Sequence, residues 1–261
     1  MLTRLLALPD LADVDVDSED RIARHAAVLA RKPMLQDVFN EFHHLFQALD
    51  GRYFGGTAGL RIELGAGVAP VRSSYPDVLA TDVVAAPHLD RVLDAQAMDL
   101  PDGSVRALFG QNCFHHFPEP ERFFAEATRV INPGGGIILI EPYHGPCASA
   151  VFKRLFASEG FDKAMPGWNV PMEGPMNGAN QALSYVIFKR DLEAFRRKFP
   201  NLELVHAEPL GNYLRYVLSG GLNFRQLVPD ALVPVVKLAE TMASPLRRLL
   251  ALHHVLVIRR A

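Results

Sequence analysis

Cysteine is scarce: Cys113 and Cys147 are the only two in 261 residues. That excludes a disulfide framework and a thiolate metal cluster, and it fits a reducing, cytoplasmic compartment. An excess of either charge is also missing, with Lys+Arg 27 against Asp+Glu 29 and a formal net charge of −2. Nothing in that balance attracts a nucleic-acid backbone. No run approaches the roughly 20 apolar residues of a membrane-spanning helix. The opening MLTRLLALPD is short, lacks a small-residue cleavage site and is followed by acids at Asp10, Asp13, Asp15, Asp17, Glu19 and Asp20. No secretory leader is therefore expected. Internal repeats and low-complexity tracts are lacking too. What remains is 49% hydrophobic and 21% charged residues, the composition of a folded globular chain.

The apolar pattern changes character near residue 60. Before it, Ser18 with Glu19 and Asp20 reads as an N-cap and acidic first turn. Beyond Pro33, the residues Val38, Phe42, Leu45, Phe46 and Leu49 form one helical stripe. Four glycines between Gly51 and Gly59 predict a loop. After it come short apolar strands at 60–64, 78–82, 91–95, 105–110, 136–141, 202–208 and 253–259. Near-continuous apolar strands covered on both faces are what a parallel sheet requires. Pro118–Glu119–Pro120 opens a helix through Ile131, stopped by Asn132–Pro133–Gly134–Gly135. The expected architecture is a doubly wound, mostly parallel seven-stranded α/β sheet in a single domain spanning 1–261. Residues 1–57 form an N-terminal helical cap and 58–142 a ligand-binding core. Residues 143–200 and 210–250 are helical inserts after strands five and six.

The first strand runs into Glu63–Leu64–Gly65–Ala66–Gly67–Val68–Ala69–Pro70. Glycines at such a turn let a ligand approach the backbone closely. A dinucleotide fingerprint would need glycine where Pro70 stands. An acid two residues before Gly-x-Gly fits instead, with Ala69 in the last glycine slot. Further stations follow in order: Asp82 ends the second strand, and Ala97–Met98–Asp99–Leu100–Pro101–Asp102–Gly103–Ser104 follows the third. Gly110–Gln111–Asn112–Cys113–Phe114–His115–His116–Phe117 follows the fourth, and Arg129–Val130–Ile131–Asn132–Pro133–Gly134–Gly135 precedes the fifth. Together they resemble the class I S-adenosylmethionine-dependent methyltransferases, in particular the broad type 11 group, over about residues 60–142. The resemblance implies a Rossmann-like fold, S-adenosyl-L-methionine as cofactor and S-adenosyl-L-homocysteine as product. It implies cofactor contacts from Glu63, Gly65, Ala66, Gly67, Asp82, Asp99, Leu100, Gln111 and Asn112. In it, Asp82 takes the ribose hydroxyls, Asp99 the adenine amino group, and the Leu100 amide lies near the ring.

The loop lengths depart from the pattern. Only 15 positions separate Gly67 from Asp82, against about 20 expected from a glycine turn to its ribose acid. The next crossover, Val84–Asp90, has seven residues with Pro87 in the middle, whereas a parallel crossover normally takes a dozen or more. The helix between strands two and three is thus predicted to be missing or reduced to a turn. The N-terminal helices or a second chain would then cover that side of the sheet.

Methyl transfer needs a general base only when the acceptor must lose a proton. Candidates are His115, His116 and His144, just after strands four and five, where open α/β sheets bind ligands. Each also has a purely structural reading. Glu141, Trp168, Asn177 and Asn180 are candidate acceptor contacts, since the Gly/Pro/Asn-rich stretch beside the single tryptophan makes a plausible wall. The pairs His43–His44 and His253–His254 lack further ligands, so no metal is expected. The expected activity is methyl transfer to a small molecule or a sugar- or lipid-linked acceptor, at oxygen. Asn/Asp-Pro-Pro-Tyr, the signature of base methylation in nucleic acid, is missing after strand four. The rivals are a catalytically silent nucleotide-binding or scaffolding protein and an NAD-dependent oxidoreductase. The expected partner is the small acceptor, with membrane-surface contact or a homodimer through the apolar 210–250 helices as further alternatives.

Overall fold

The computed structural model describes residues 6–9, 19–171 and 178–261. The expected Ser18 cap and the candidate contact Asn177 lie outside the described residues. Seven strands make one sheet: β1 (Leu60–Leu64), β2 (Val78–Asp82), β3 (Arg91–Val92), β4 (Val105–Gln111), β5 (Ile131–Pro142), β6 (Leu202–Pro209) and β7 (His253–Arg260). Their order is β3-β2-β1-β4-β5-β7-β6, with β7 antiparallel to both neighbours and the other pairings parallel. This is the doubly wound, mostly parallel sheet expected from the strand pattern.

Strand β5 explains how the sheet sits between two layers. Ile137 and Leu139 join one core and Ile138 and Ile140 the other, all four fully buried, because successive side chains leave a strand on opposite faces. On the first face lies α3 (Pro120–Val130), whose Phe123, Phe124 and Ala127 are fully buried. Phe124 touches Phe114, Phe188 and Phe195 with ring centroids 5.7, 5.9 and 5.0 Å away. On the second face lies the long α2 (Pro33–Phe54), preceded by α1 (Glu19–Ala30). Its stripe Leu35, Val38, Phe42, Phe46 and Leu49 packs on Val78, Phe109, Ile138, Ile140, Val255 and Val257.

That placement answers the short crossovers. Among the described residues, the β1–β2 connection carries one 3-10 turn, Val71–Ser73, and the β2–β3 connection carries bends and turns. The reduced helix between strands two and three is as the residue count requires. Val71 and Val78 are covered by α2 instead. Asp50, fully buried near the end of α2, locks the arrangement. It accepts hydrogen bonds from Arg61 Nε (3.0 Å), Arg106 Nε (2.9 Å) and Tyr75 Oη (2.8 Å). Helix α2 therefore continues through Gly51 to Phe54, where glycine content alone predicts a loop.

Three other boundaries move. The third strand ends at Val92 rather than 95, and Val92 is exposed at the sheet edge. Asn132–Pro133–Gly134–Gly135 does not form a separate stop. Ile131 ends α3 and already pairs with Val105, and the irregular register before Gly136 absorbs the turn. In the last insert, α6 (Tyr213–Ser219), α7 (Val233–Met242) and α8 (Arg247–Leu250) follow α4 (Pro146–Leu155) and α5 (Leu192–Lys198) in chain order. Pro234 sits in the first turn of α7 and starts that helix instead of breaking one. No helix of the described residues is long and apolar enough to cross a membrane.

Candidate functional site

A cavity of about 480 Å³ opens at the carboxyl ends of β1, β2 and β4, where open α/β sheets hold their ligands. Its first wall is the glycine turn. Gly65 has φ +62°, and a Cβ there would lie 2.7 Å from Cys113 Cβ, so close packing of β1 against the β4 end demands glycine. Gly67, at φ +52°, is different: the nearest atom to an added Cβ is Gly65 O at 3.9 Å. The space above it is open to a ligand.

Hydrogen bonds fix this turn from below. Ala66 N donates to Thr81 O (2.9 Å) and Thr81 Oγ1 donates to Glu63 O (2.7 Å). Asp82 accepts from Gly67 N through Oδ2 and from Val84 N through Oδ1, both at 3.1 Å. His88, from the shortened second crossover, places Nε2 2.6 Å from Gly67 O. Asp82 thus lines the cavity despite its short loop, ordered by the turn it faces. Glu63 lines it too, but its side chain accepts Val71 N at 2.7 Å and holds the 3-10 turn that replaces a helix. Burial pushes the Glu63 carboxyl up to about 8, against the lowering effect of the Val71 amide.

At β3 the structure corrects the expected acid. Asp99 is fully exposed, 3.5 Å from Arg91, and does not line the cavity; Leu100 is buried in the core. Because β3 stops at Val92, the carboxylate carried to the cavity is Asp94, followed by Ala95 and Gln96. Asp94 Oδ1 accepts the Gln96 amide at 2.8 Å. An acid two residues past the strand is the signal, and a strand read over 91–95 conceals it.

Gln111 and Asn112 line the cavity where β4 ends. Asn112 has φ +50°, the one positive φ outside glycine among the described residues. Such a backbone on an L residue is uncommon and often marks a site. Gln111 Oε1 and Asn112 Oδ1 are buried without a hydrogen-bond partner among the described residues. Buried acceptors of this kind call for a donor.

The far end of the cavity is closed by the inserts, the N-terminal helices and the start of β7, through Arg21, Phe39, Phe152, Phe156, Gln181, Tyr216 and His253. His115, His116 and Glu159 meet there. His115 Nδ1 lies 2.5 Å from Glu141 Oε2 and its Nε2 3.5 Å from Glu159 Oε2. Burial works to lower the His115 pKa, but the Glu141 charge and hydrogen bond and then Glu159 outweigh it, raising it to about 10. Burial, and then the charge of His115, lower His116 to about 3. Glu159 has no motif in the sequence; only the folded insert brings it here.

The other sequence candidates stand elsewhere. Glu141 is fully buried behind the cavity, accepting the amides of Cys113 (3.0 Å) and Phe114 (2.9 Å) as well as pairing with His115. It fixes the turn that carries the histidines. His144 leaves the cavity to pack on Tyr143 and Tyr185, with ring centroids 4.4 and 5.0 Å away. Burial and the charges of Lys163 and Lys189 lower its pKa to about 4. Trp168 is a core residue that donates from Nε1 to Asp191 Oδ2 (3.0 Å). Asn180 is a buried turn residue, its Oδ1 accepting Asp162 N (2.9 Å) and its backbone N donating to His115 O (3.1 Å).

The near wall carries the acids Asp82 and Asp94, with Glu63, Gln111 and Asn112 beside them. A pyrophosphate would meet carboxylates here instead of the donors it needs. An adenosine-bearing ligand with an ammonium group, a positive charge and ribose hydroxyls fits that wall, with Gly67 leaving room for it. Fold and wall together define an open α/β protein with a ligand-sized cavity at the carboxyl edge of its sheet.

Residues 72–139 match the family model of a methyltransferase domain. The resemblance drawn from the motif order is borne out over that segment. A sarcosine/dimethylglycine N-methyltransferase of Halorhodospira halochloris is 35% identical over 71 residues, 26% of this chain and 25% of that protein. The chain spans about a quarter of the length of that curated relative. Among solved structures, geranyl diphosphate C-methyltransferase from Streptomyces coelicolor A3(2) is similar at 13% identity and TM-score 0.46, covering 84% of this chain and 80% of that one. An S-adenosylmethionine-dependent methyltransferase from Mesorhizobium loti is similar at 17% identity and TM-score 0.43, covering 82% and 96%.

Proposed function

We propose that the chain binds S-adenosylmethionine at the strand-end wall and methylates an oxygen of a small acceptor held in the far chamber. The observation that carries the cofactor half is the open space over Gly67 in a cavity that Asp82, Asp94, Gln111 and Asn112 also line. In this reading Gly65–Ala66–Gly67, Gln111 and Asn112 hold the amino-acid portion. Asp82 takes the ribose hydroxyls, and Asp94 with Ala95 and Gln96 takes the base. When bound, S-adenosylmethionine supplies an electrophilic methyl group on a sulfonium whose departure leaves a neutral thioether.

The residues contribute position and dryness, worth up to about 7–11 kcal/mol in well-oriented reactions. Phe39, Phe152, Phe156 and Tyr216 enclose an apolar or aromatic acceptor body. Glu159 accepts a hydrogen bond from the acceptor hydroxyl and orients its lone pair. Burial would raise the Glu159 pKa, but the hydrogen bond and charge of His115 hold its carboxyl below the usual range. It is therefore ionised at neutral pH. The acceptor's proton passes to the ionised Glu159 carboxylate as the methyl group leaves sulfur, which is why oxygen is favoured over an atom that needs no proton removed.

Incubating the protein with S-adenosylmethionine and a panel of small phenols, alcohols and amines, with mass spectrometry of the products, tests the reading. A mass gain of one methyl group on hydroxylated members supports it. Methylation of amines alone rejects the oxygen assignment, and no binding of S-adenosylhomocysteine rejects the whole.

A further inference from the structure

We propose that His115, His116 and Glu159 form a binding site for a divalent transition-metal ion at the far end of the cavity. No ligand spacing along the chain marks it, because Glu159 is brought to the histidines only by the fold. Each of the three offers a ligand atom, and these atoms lie within 4.8 Å of one another. A metal bound at about 2.0–2.2 Å sets its nitrogen and oxygen donors roughly 3–3.5 Å apart. His115 Nε2 and Glu159 Oε2 already stand at 3.5 Å. The His115 and His116 rings stand 4.4 Å apart between centroids, and Glu159 is the least buried of the three.

Two further observations point to a ligand. His115 Nδ1 is engaged by Glu141 Oε2 at 2.5 Å, and Glu141 is itself anchored by the amides of Cys113 and Phe114. A carboxylate behind a histidine in this way directs the other ring nitrogen outward and makes it a better donor, the usual support of a metal-bound imidazole. His116 Nδ1 is buried without a hydrogen-bond partner among the described residues. Backbone bonding holds the pair, since both histidines ride a 3-10 turn closed by His116 N to Cys113 O (3.0 Å) and Phe117 N to Phe114 O (3.0 Å).

The donor set identifies the ion class. Two imidazoles and one carboxylate suit zinc, manganese, iron or cobalt, whereas magnesium and calcium favour oxygen ligands throughout. Two carboxylates, Glu141 and Glu159, match the charge of a divalent cation. All three ligands line the cavity, so open coordination positions face the chamber. An acceptor oxygen bound there would be held beside the nucleoside wall; this last role rests on the methyl-transfer reading, and the site itself does not.

Metal-free protein, prepared without a nickel column, is titrated with Zn2+ by calorimetry and with Co2+ by visible absorption. One equivalent bound, with the ligand-field bands of a coordinated Co2+, is expected, and Glu159→Ala and His116→Ala each weaken binding at least tenfold. Glu141→Gln is expected to weaken it by about 10–100-fold through the orientation of His115. Melting curves of the metal-free variants control for folding. Failure to bind a stoichiometric ion, or binding unchanged in both Glu159→Ala and His116→Ala, overturns the proposal. Titrating the metal-free wild type with S-adenosylhomocysteine reads the cofactor proposal separately, so the two fail independently.

Discussion

The two ends of the cavity are fixed by different means. The strand-end wall is held by main-chain amides and short side chains tied to one another by hydrogen bonds: Gly67 to Asp82, Ala66 to Thr81, Glu63 to Val71. At the insert end they are rings and imidazoles. His253 there packs edge-on against Tyr216 and Phe42 at 4.6 and 5.5 Å, its two nitrogens without partners among the described residues. A wall built from backbone tolerates little change, because moving one amide moves the strand behind it. A wall built from side chains is reshaped one residue at a time while the sheet stays put. The first suits a fixed ligand and the second a selected one.

Substitutions in the glycine turn should separate folding from ligand space most sharply. Gly65→Ala combines a positive φ with a Cβ clash at 2.7 Å, and its stability should fall by about 2–5 kcal/mol, read by denaturant unfolding. Gly67→Ala meets no protein atom closer than 3.9 Å, so it should cost only about 1–2 kcal/mol of backbone strain. Both should lose S-adenosylhomocysteine binding. If Gly67→Ala binds normally, the space above that residue is not the ligand's.

Glu63 gives the next effect, in pH. Its folded pKa of about 8 lies above its ordinary value of 4.5, so the folded state holds a proton that the unfolded chain releases. The stability from this group is complete below pH 4.5 and is lost as pH rises toward 8. The slope is at most about 1.4 kcal/mol per pH unit. Glu63→Gln keeps an acceptor for Val71 N and should remove that slope. Parallel stability–pH curves for the two proteins would refute it.

A smaller contrast decides the adenine acid. Asp94→Ala should weaken S-adenosylhomocysteine about tenfold, or about 1.4 kcal/mol, while Asp99→Ala, at the exposed edge, should change it less than twofold. The reverse result would restore Asp99. Smallest on the cofactor side is Phe156→Leu, which lines only the far chamber. It should leave S-adenosylhomocysteine affinity within twofold and shift acceptor KM severalfold.

The same division governs what the residues disclose in advance. Strands at 60–64 and 78–82 fall where glycine and proline bracket apolar runs, and the lost crossover helix follows from counting Val84–Asp90. Glycine turn, Asp82, Gln111 and Asn112 reach the cavity because each sits at a strand end, a position local sequence discloses. Asp94 is masked in the sequence because the apolar run continues to residue 95 while the pairing with β2 ends at Val92. Asp50 was hidden because its partners Arg61, Tyr75 and Arg106 lie 11, 25 and 56 positions away. Glu159 and Tyr216 belong to inserts whose side chains meet through packing, which leaves no spacing in the chain. His144 follows strand five as expected, yet ring stacking on Tyr143 turns it aside.

Calorimetric titration of the wild-type protein with S-adenosylhomocysteine tests the nucleoside wall most directly. One site with micromolar affinity, weakened at least tenfold in Asp94→Ala and lost in Gly67→Ala, is the predicted result. No heat or thermal stabilisation at millimolar ligand, or affinity untouched by both substitutions, would contradict it.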